Sequence, residues 1–100
     1  MPNRELSPKD TERAASLEVE IRDMIIHALK EGDPDDKIAG DLVAKHSDWI
    51  KIFWPEGSFS AEKYRALADK YLSDERFKNY YDKWINGATK YLAESIKKYY

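Results

Sequence analysis

The chain has 100 residues, with 17 Lys or Arg, 19 Asp or Glu and a formal net charge of −2. This length suits one domain, and the balanced charge argues against a stand-alone nucleic-acid binder, which presents a strongly basic face. The absence of cysteine excludes a disulfide framework, a thiolate nucleophile and a zinc–thiolate site.

The hydrophobic pattern gives no sign of a membrane or of secretion. No apolar run approaches the roughly 18 residues of a membrane span, and residues 1–10 lack the apolar segment of a signal peptide. We therefore expect a cytoplasmic protein with no membrane partner. Aromatic residues make up 13% of the chain, glycines number four and runs of β-branched residues are scarce. This composition favours an all-α fold in a single compact domain.

The first predicted helix begins at Ser7, after a frayed start at residues 1–6. Ser7 can cap the helix, Pro8 fits its first position and an acidic residue follows two places later. Apolar residues then recur at helical spacing through Ala14–Leu29. Gly32 is typical of the residue that ends a helix.

The second predicted helix begins at Asp33-Pro34, where further acidic residues favour the helix dipole. These carboxylates do not match a calcium-binding EF-hand loop, because the sixth residue from Asp33 is Ile38, where that loop requires glycine. The helix continues to Phe53 and ends before Pro55, since the residue before a proline disfavours the helical conformation.

Three more helices are predicted in the second half of the chain. Ser60 caps the third, and Ser73 both ends it and caps the fourth. The fourth helix carries an apolar stripe of Phe77, Tyr80, Tyr81, Trp84 and Ile85. Asn86-Gly87 breaks the chain, and the apolar face of the fifth helix consists of Ala88, Tyr91, Leu92, Ile96 and Tyr99.

We expect a five-helix domain in which the first, second and fifth helices supply most of the core side chains. The predicted core residues are Leu17, Ile21, Met24, Ile25, Leu42, Ile50, Leu92 and Ile96.

The sequence offers little for catalysis. Its histidines are His27 and His46, and His46 lies on the apolar side of the second helix. A histidine there is more often a hydrogen-bonded core residue than a base, although its titration range is physiological. No Ser-His-Asp order, Gly-rich phosphate loop or HExxH pattern occurs. We therefore expect no enzyme activity, no cofactor and no metal site.

The stronger signal is the number of aromatic side chains: seven Tyr, three Trp and three Phe. Any one of them is more often a core residue than a ligand contact, but a domain of this size cannot bury all of them at once. Together they predict an aromatic-walled cleft. The predicted ligand-binding residues are His46, Trp49, Phe53, Trp54, Tyr64, Tyr80, Tyr81 and Trp84.

These residues also carry a resemblance. The segment YLSDERFKNYYDK at Tyr71–Lys83, followed by a Gly-containing break and the helix ATKYLAESI, resembles the TipAS antibiotic-recognition domain. That domain is the effector-binding half of a branch of MerR-family transcription regulators. Upstream, Leu6–Asp10, the turn LKEGDP at Leu29–Pro34 and the spacing of His46 and Trp49 are similar as well.

The resemblance covers roughly residues 6–98 and assigns residues 7–100 to a ligand-recognition domain. It implies a globin-like fold with a deep cleft that captures bulky antibiotics, including thiopeptides, without catalysis. It also implies either the effector domain of a regulator or a stand-alone drug-sequestering form. The helix-turn-helix and coiled coil of the longer family members are absent from these residues, so we expect a monomer without direct nucleic-acid contact.

Three features depart from the family pattern. The prototype adds a cysteine thiol to thiopeptides, whereas an ungapped alignment back from Phe77 puts Ala66 close to that position, so binding should be noncovalent. Asn86-Gly87 replaces the family's Pro-Gly, and the loop Trp54–Ser60 is longer.

The alternative function, from a different functional class, is a helical protein-interaction or dimerisation module in which exposed aromatic side chains form the partner-binding face.

Overall fold

Five α-helices form the computed structural model, which describes residues 6–33, 36–55 and 57–100. The helices are α1 (Pro8–Glu31), α2 (Lys37–Phe53), α3 (Ala61–Ser73), α4 (Glu75–Asp82) and α5 (Ala88–Tyr99). No strand occurs in those residues. The radius of gyration is 13.1 Å, as expected for one compact domain of this length. The predicted all-α class and the single compact domain are confirmed.

The starts of three helices follow local signals in the sequence. Ser7 Oγ accepts a hydrogen bond from the backbone N–H of Asp10 at 3.1 Å, and Ser60 Oγ accepts one from that of Lys63 at 3.1 Å. Gly87 begins α5 with φ of +94°, a conformation that favours glycine. These predicted boundaries are confirmed.

Asp33 caps α2 as predicted, but it lies three residues before the N-cap position, which Asp36 holds. Asp36 holds the N-cap position with φ of +55°, yet its side chain makes no capping bond. Asp33 caps the helix instead, because its carboxylate oxygens accept from the N–H groups of Ile38 at 3.0 Å and Ala39 at 2.9 Å. Pro34, predicted in the first turn, lies outside the described residues.

The prediction for α4 was wrong at both ends. Ser73 is the last residue of α3, and its hydroxyl donates to carbonyls one turn earlier. Asp74 caps α4 by accepting from the N–H of Arg76 at 2.9 Å. The helix then ends before Trp84 and Ile85, which lie in the following turn rather than on its stripe.

The core lies where α1, α2, α3 and α5 meet. α1 packs against α2, α5 packs against α2 and α3, and α4 packs against α3 and α5. The predicted core residues are buried, except Met24, which is half-buried. α3 contributes more than expected, through Tyr64, Ala68 and Tyr71. The predicted frayed start falls on residues 1–5, outside the described ranges, and on Leu6, which packs against the core.

Candidate functional site

A cavity of about 440 Å³ lies between α4 and the α1–α2 pair. The α4 helix packs against α3 and α5, and it faces α1 and α2 across this space. The cavity is lined by Glu18, Trp49, Phe53, Arg76, Phe77, Tyr80 and Tyr81. Five of these seven side chains are aromatic, so its wall is mainly apolar.

Helical spacing brings the aromatic rings to the wall. Trp49 and Phe53 are four residues apart on α2, and their rings pack edge-to-face with centroids 5.1 Å apart. Phe77, Tyr80 and Tyr81 share one face of α4, and the two tyrosine rings meet at 4.9 Å and 87°. Edge-to-face contacts of this kind stabilise aromatic pairs beyond the area that they bury.

Polar groups stand at the edge of the cavity. The hydroxyl of Tyr80 donates to Glu18 Oε2 at 2.9 Å, joining α4 to α1. Burial and this carboxylate together raise the pKa of the Tyr80 phenol. Lys83 Nζ lies 4.6 Å from the centre of the Tyr80 ring, and the Arg76 guanidinium pairs with Asp74 at 2.9 Å. The cavity therefore combines an apolar wall with charged groups of both signs at its edge.

Behind the wall lies a buried polar cluster of His46, Tyr64, Tyr71 and Tyr81. His46 Nδ1 is hydrogen-bonded to the Tyr64 hydroxyl at 2.6 Å, and Nε2 lies 3.2 Å from that of Tyr81 and 3.4 Å from that of Tyr71. The Tyr71 and Tyr81 hydroxyls are 3.0 Å apart. Each buried polar atom of this cluster thus has a partner, as a stable interior requires.

Burial fixes the charge state of the cluster. It lowers the pKa of His46 to about 3, because the imidazolium ion would lose its hydration. Burial likewise raises the pKa of the Tyr64, Tyr71 and Tyr81 phenols. All four side chains are therefore neutral at physiological pH. A neutral imidazole has one donor and one acceptor nitrogen, which the surrounding hydroxyls match.

The structure brings together half of the predicted ligand-binding residues. Trp49, Phe53, Tyr80 and Tyr81 line the cavity. His46 and Tyr64 lie in the interior cluster, so they are placed behind the predicted cleft wall and not on it.

The other two predicted residues flank the cavity. Trp84 packs its ring against Tyr80 and Tyr81, at 5.7 Å and 5.4 Å, from outside the lining. Trp54 lines a second hollow of about 440 Å³ on the other side of Phe77 and Arg76, which border both spaces.

Sequence reasoning missed three lining residues. Phe77 belonged to the predicted aromatic stripe but not to the predicted site, although its spacing from Tyr80 and Tyr81 places it on their face. Glu18 and Arg76 carry no such signal, because their position at the cavity depends on how α1 and α4 meet. The second hollow is also bordered by Ala66, the position that the family resemblance aligned with a thiol.

The described residues present neither a cluster suited to a metal ion nor a helix suited to a membrane. Among residues 6–33, 36–55 and 57–100, no group of three or more His, Cys, Asp and Glu side chains is arranged to hold a metal ion. Within those same residues, no helix has the length and apolarity needed to cross a membrane.

Comparison with known proteins gives one result. A family model described as the TipAS antibiotic-recognition domain matches residues 3–99. Curated proteins and solved structures give no match.

Proposed function

Because the chain belongs to the family of TipAS antibiotic-recognition domains, we propose that it binds bulky hydrophobic antibiotics or drugs noncovalently and catalyses no reaction. The observation that carries this proposal is the aromatic-walled cavity between α4 and the α1–α2 pair. Its volume of about 440 Å³ falls in the range of pockets that hold drug-sized ligands. A larger compound would place one flat portion there.

The chemistry of the wall supports capture by stacking. The half-buried rings of Phe53 and Phe77 offer apolar surface to planar parts of a ligand, the buried ring of Trp49 lies beside them, and Glu18 and Arg76 at the edge can orient polar groups. The covalent capture described for the family prototype needs a cysteine thiol, and the chain has no cysteine. Ala66 offers only a methyl group at the second hollow.

We also propose the setting in which this binding acts. The domain is the effector-recognition part of a MerR-type transcription activator, or a stand-alone form that sequesters the drug in the cytoplasm as a monomer. In the regulator, the drug signals only if it binds one arrangement of the protein more tightly than another.

Tryptophan fluorescence tests the binding proposal. In the W54F/W84F double variant, Trp49 is the remaining tryptophan, so saturable quenching by a flat polycyclic drug or a thiopeptide reports on the cavity. Phe53→Ala removes a lining ring and should weaken binding about tenfold, because part of the ligand's buried apolar contact is lost.

Phe59→Ala is the matched control, since Phe59 is also half-buried but packs against Tyr64 and Tyr100, away from the cavity. It should leave the affinity within about twofold while circular dichroism confirms that both variants fold. Equal weakening by the two substitutions, or no quenching across the drug panel, would refute the proposal. A concentration-dependent dimer in size-exclusion chromatography, with no drug binding, would instead favour the interaction module.

A further inference from the structure

The indole N–H of Trp49 is buried, and no hydrogen-bond acceptor among the described residues reaches it. A buried donor without a partner destabilises the folded state, and native proteins rarely retain one without a reason. The Trp49 side chain is only 4% exposed and lines the aromatic cavity. The unsatisfied donor therefore belongs to a residue of the proposed binding site.

The surrounding polar groups make this donor stand out. One turn earlier on α2, His46 has hydrogen-bond partners at both ring nitrogens. The Tyr81 hydroxyl is engaged by His46 and Tyr71, and the Tyr80 hydroxyl donates to Glu18. The tyrosine hydroxyls at the wall are thus already committed, whereas the Trp49 donor is not.

We propose that the Trp49 N–H is the hydrogen-bond donor for the ligand, and that the ligands are flat aromatic compounds bearing a carbonyl oxygen or an unprotonated ring nitrogen. This inference rests on the proposed function and names the chemistry that the same cavity selects. The acceptor reaches the N–H when the Phe53 ring moves aside. Phe53 packs edge-to-face on the indole, is half-buried and is the last residue of α2.

A matched pair of probes isolates this hydrogen bond. 9-Fluorenone and fluorene are flat tricyclic compounds of nearly the same shape, and only fluorenone carries a carbonyl oxygen. The full chain should bind fluorenone about tenfold more tightly, as expected for one hydrogen bond that also satisfies a buried donor. In Trp49→Phe that preference should vanish while fluorene still binds. Trp84→Phe, a tryptophan substitution off the cavity wall, should keep the preference.

Nuclear magnetic resonance of the unsubstituted protein removes the dependence on the folding of Trp49→Phe. With ¹⁵N-labelled tryptophan, the indole proton of Trp49 should move downfield on addition of fluorenone and much less on addition of fluorene. W54F and W84F assign the resonance by elimination.

Three outcomes overturn the inference. Equal affinity for the two probes would leave drug binding standing but show that the N–H plays no part in it. An indole proton already shifted upfield by a ring and unmoved by fluorenone would show that a neighbouring aromatic face satisfies the donor. Binding of neither probe, nor of any drug in the fluorescence panel, would refute the proposed function together with the inference.

Discussion

Lowering the pH from about 7.5 to 5 should destabilise the fold through a single buried group, His46. Its imidazole is fully buried, and burial lowers its pKa to about 3, against about 6.5 in the unfolded chain. Between these two pH values the unfolded chain binds a proton at His46, whereas the folded chain does not. The contribution of His46 to stability is therefore complete above about pH 6.5 and is lost as the pH falls toward 3.

The size of the effect follows from that difference. Each pH unit below 6.5 lowers the free energy of unfolding by about 1.4 kcal/mol, so the loss between pH 7.5 and pH 5 is about 2 kcal/mol. For a domain whose whole stability is about 5–15 kcal/mol, this is a large fraction.

Other groups do not obscure this window. The carboxylates of Asp36 and Asp74 accept hydrogen bonds, which lower their pKa values. Burial alone would raise the pKa of Asp33, but the hydrogen bonds that it accepts outweigh burial and lower its pKa as well. A carboxyl with a lowered pKa contributes fully above its unfolded value of about 3.8 and loses its contribution below it. At pH 5 and above, these three groups therefore contribute little slope.

Urea unfolding at several pH values measures the effect. The wild-type free energy of unfolding should fall by about 2 kcal/mol over this range, and that of His46→Gln should change far less, although it starts lower because hydrogen bonds are lost. His27→Gln, at an exposed site, should behave like the wild type. The imidazole resonances of His46 should also remain those of the neutral form at pH 5. A flat wild-type curve, or a protonated His46 in the folded protein, would refute the reasoning.

The remaining predictions concern the helix ends and are measured as thermal unfolding. Asp74→Ala should lower the melting temperature by several degrees and Ser73→Ala much less, because Asp74 caps α4; the reverse order would contradict the structure. Gly87→Ala should cost about 1 kcal/mol through strain at φ of +94°, whereas Gly40→Ala, a helical site with open space for the methyl group, should be neutral or stabilising. Asp33→Ala should destabilise the fold clearly more than Asp41→Ala, since only Asp33 accepts hydrogen bonds from the start of α2.

The predicted helices were largely right because their signals are local. Ser7 and Ser60 precede apolar runs of helical period, so each start could be read within a few residues. At Ser73 and Asp74 two good caps are adjacent, and the choice depends on how far α3 continues. Trp84 has the right spacing for the α4 stripe, but the helix ends before it, and nothing local marks that end.

The candidate site was less predictable because it depends on contacts between distant residues. His46 meets Tyr64 across 18 residues and Tyr81 across 35, so the sequence could not show that these rings close the interior with hydrogen bonds. One signal was present: Tyr64 and Tyr71 are seven residues apart and share a face of α3. The position of Glu18 at the cavity depends on how α1 meets α4, which no periodicity records.

Two aromatic residues on facing sides of the cavity, Tyr81 and Phe53, differ in how firmly their side chains are held. Tyr81 is buried, and its hydroxyl is tied to His46 and Tyr71 in the core, whereas Phe53 is half-buried and precedes the extended Trp54. One side of the cavity is therefore anchored in the core by hydrogen bonds, whereas the opposite side includes a half-buried ring at the end of its helix. For the proposed binding function, we expect this asymmetry to give strict discrimination at the anchored end of a ligand and tolerance of different bulk at the other end.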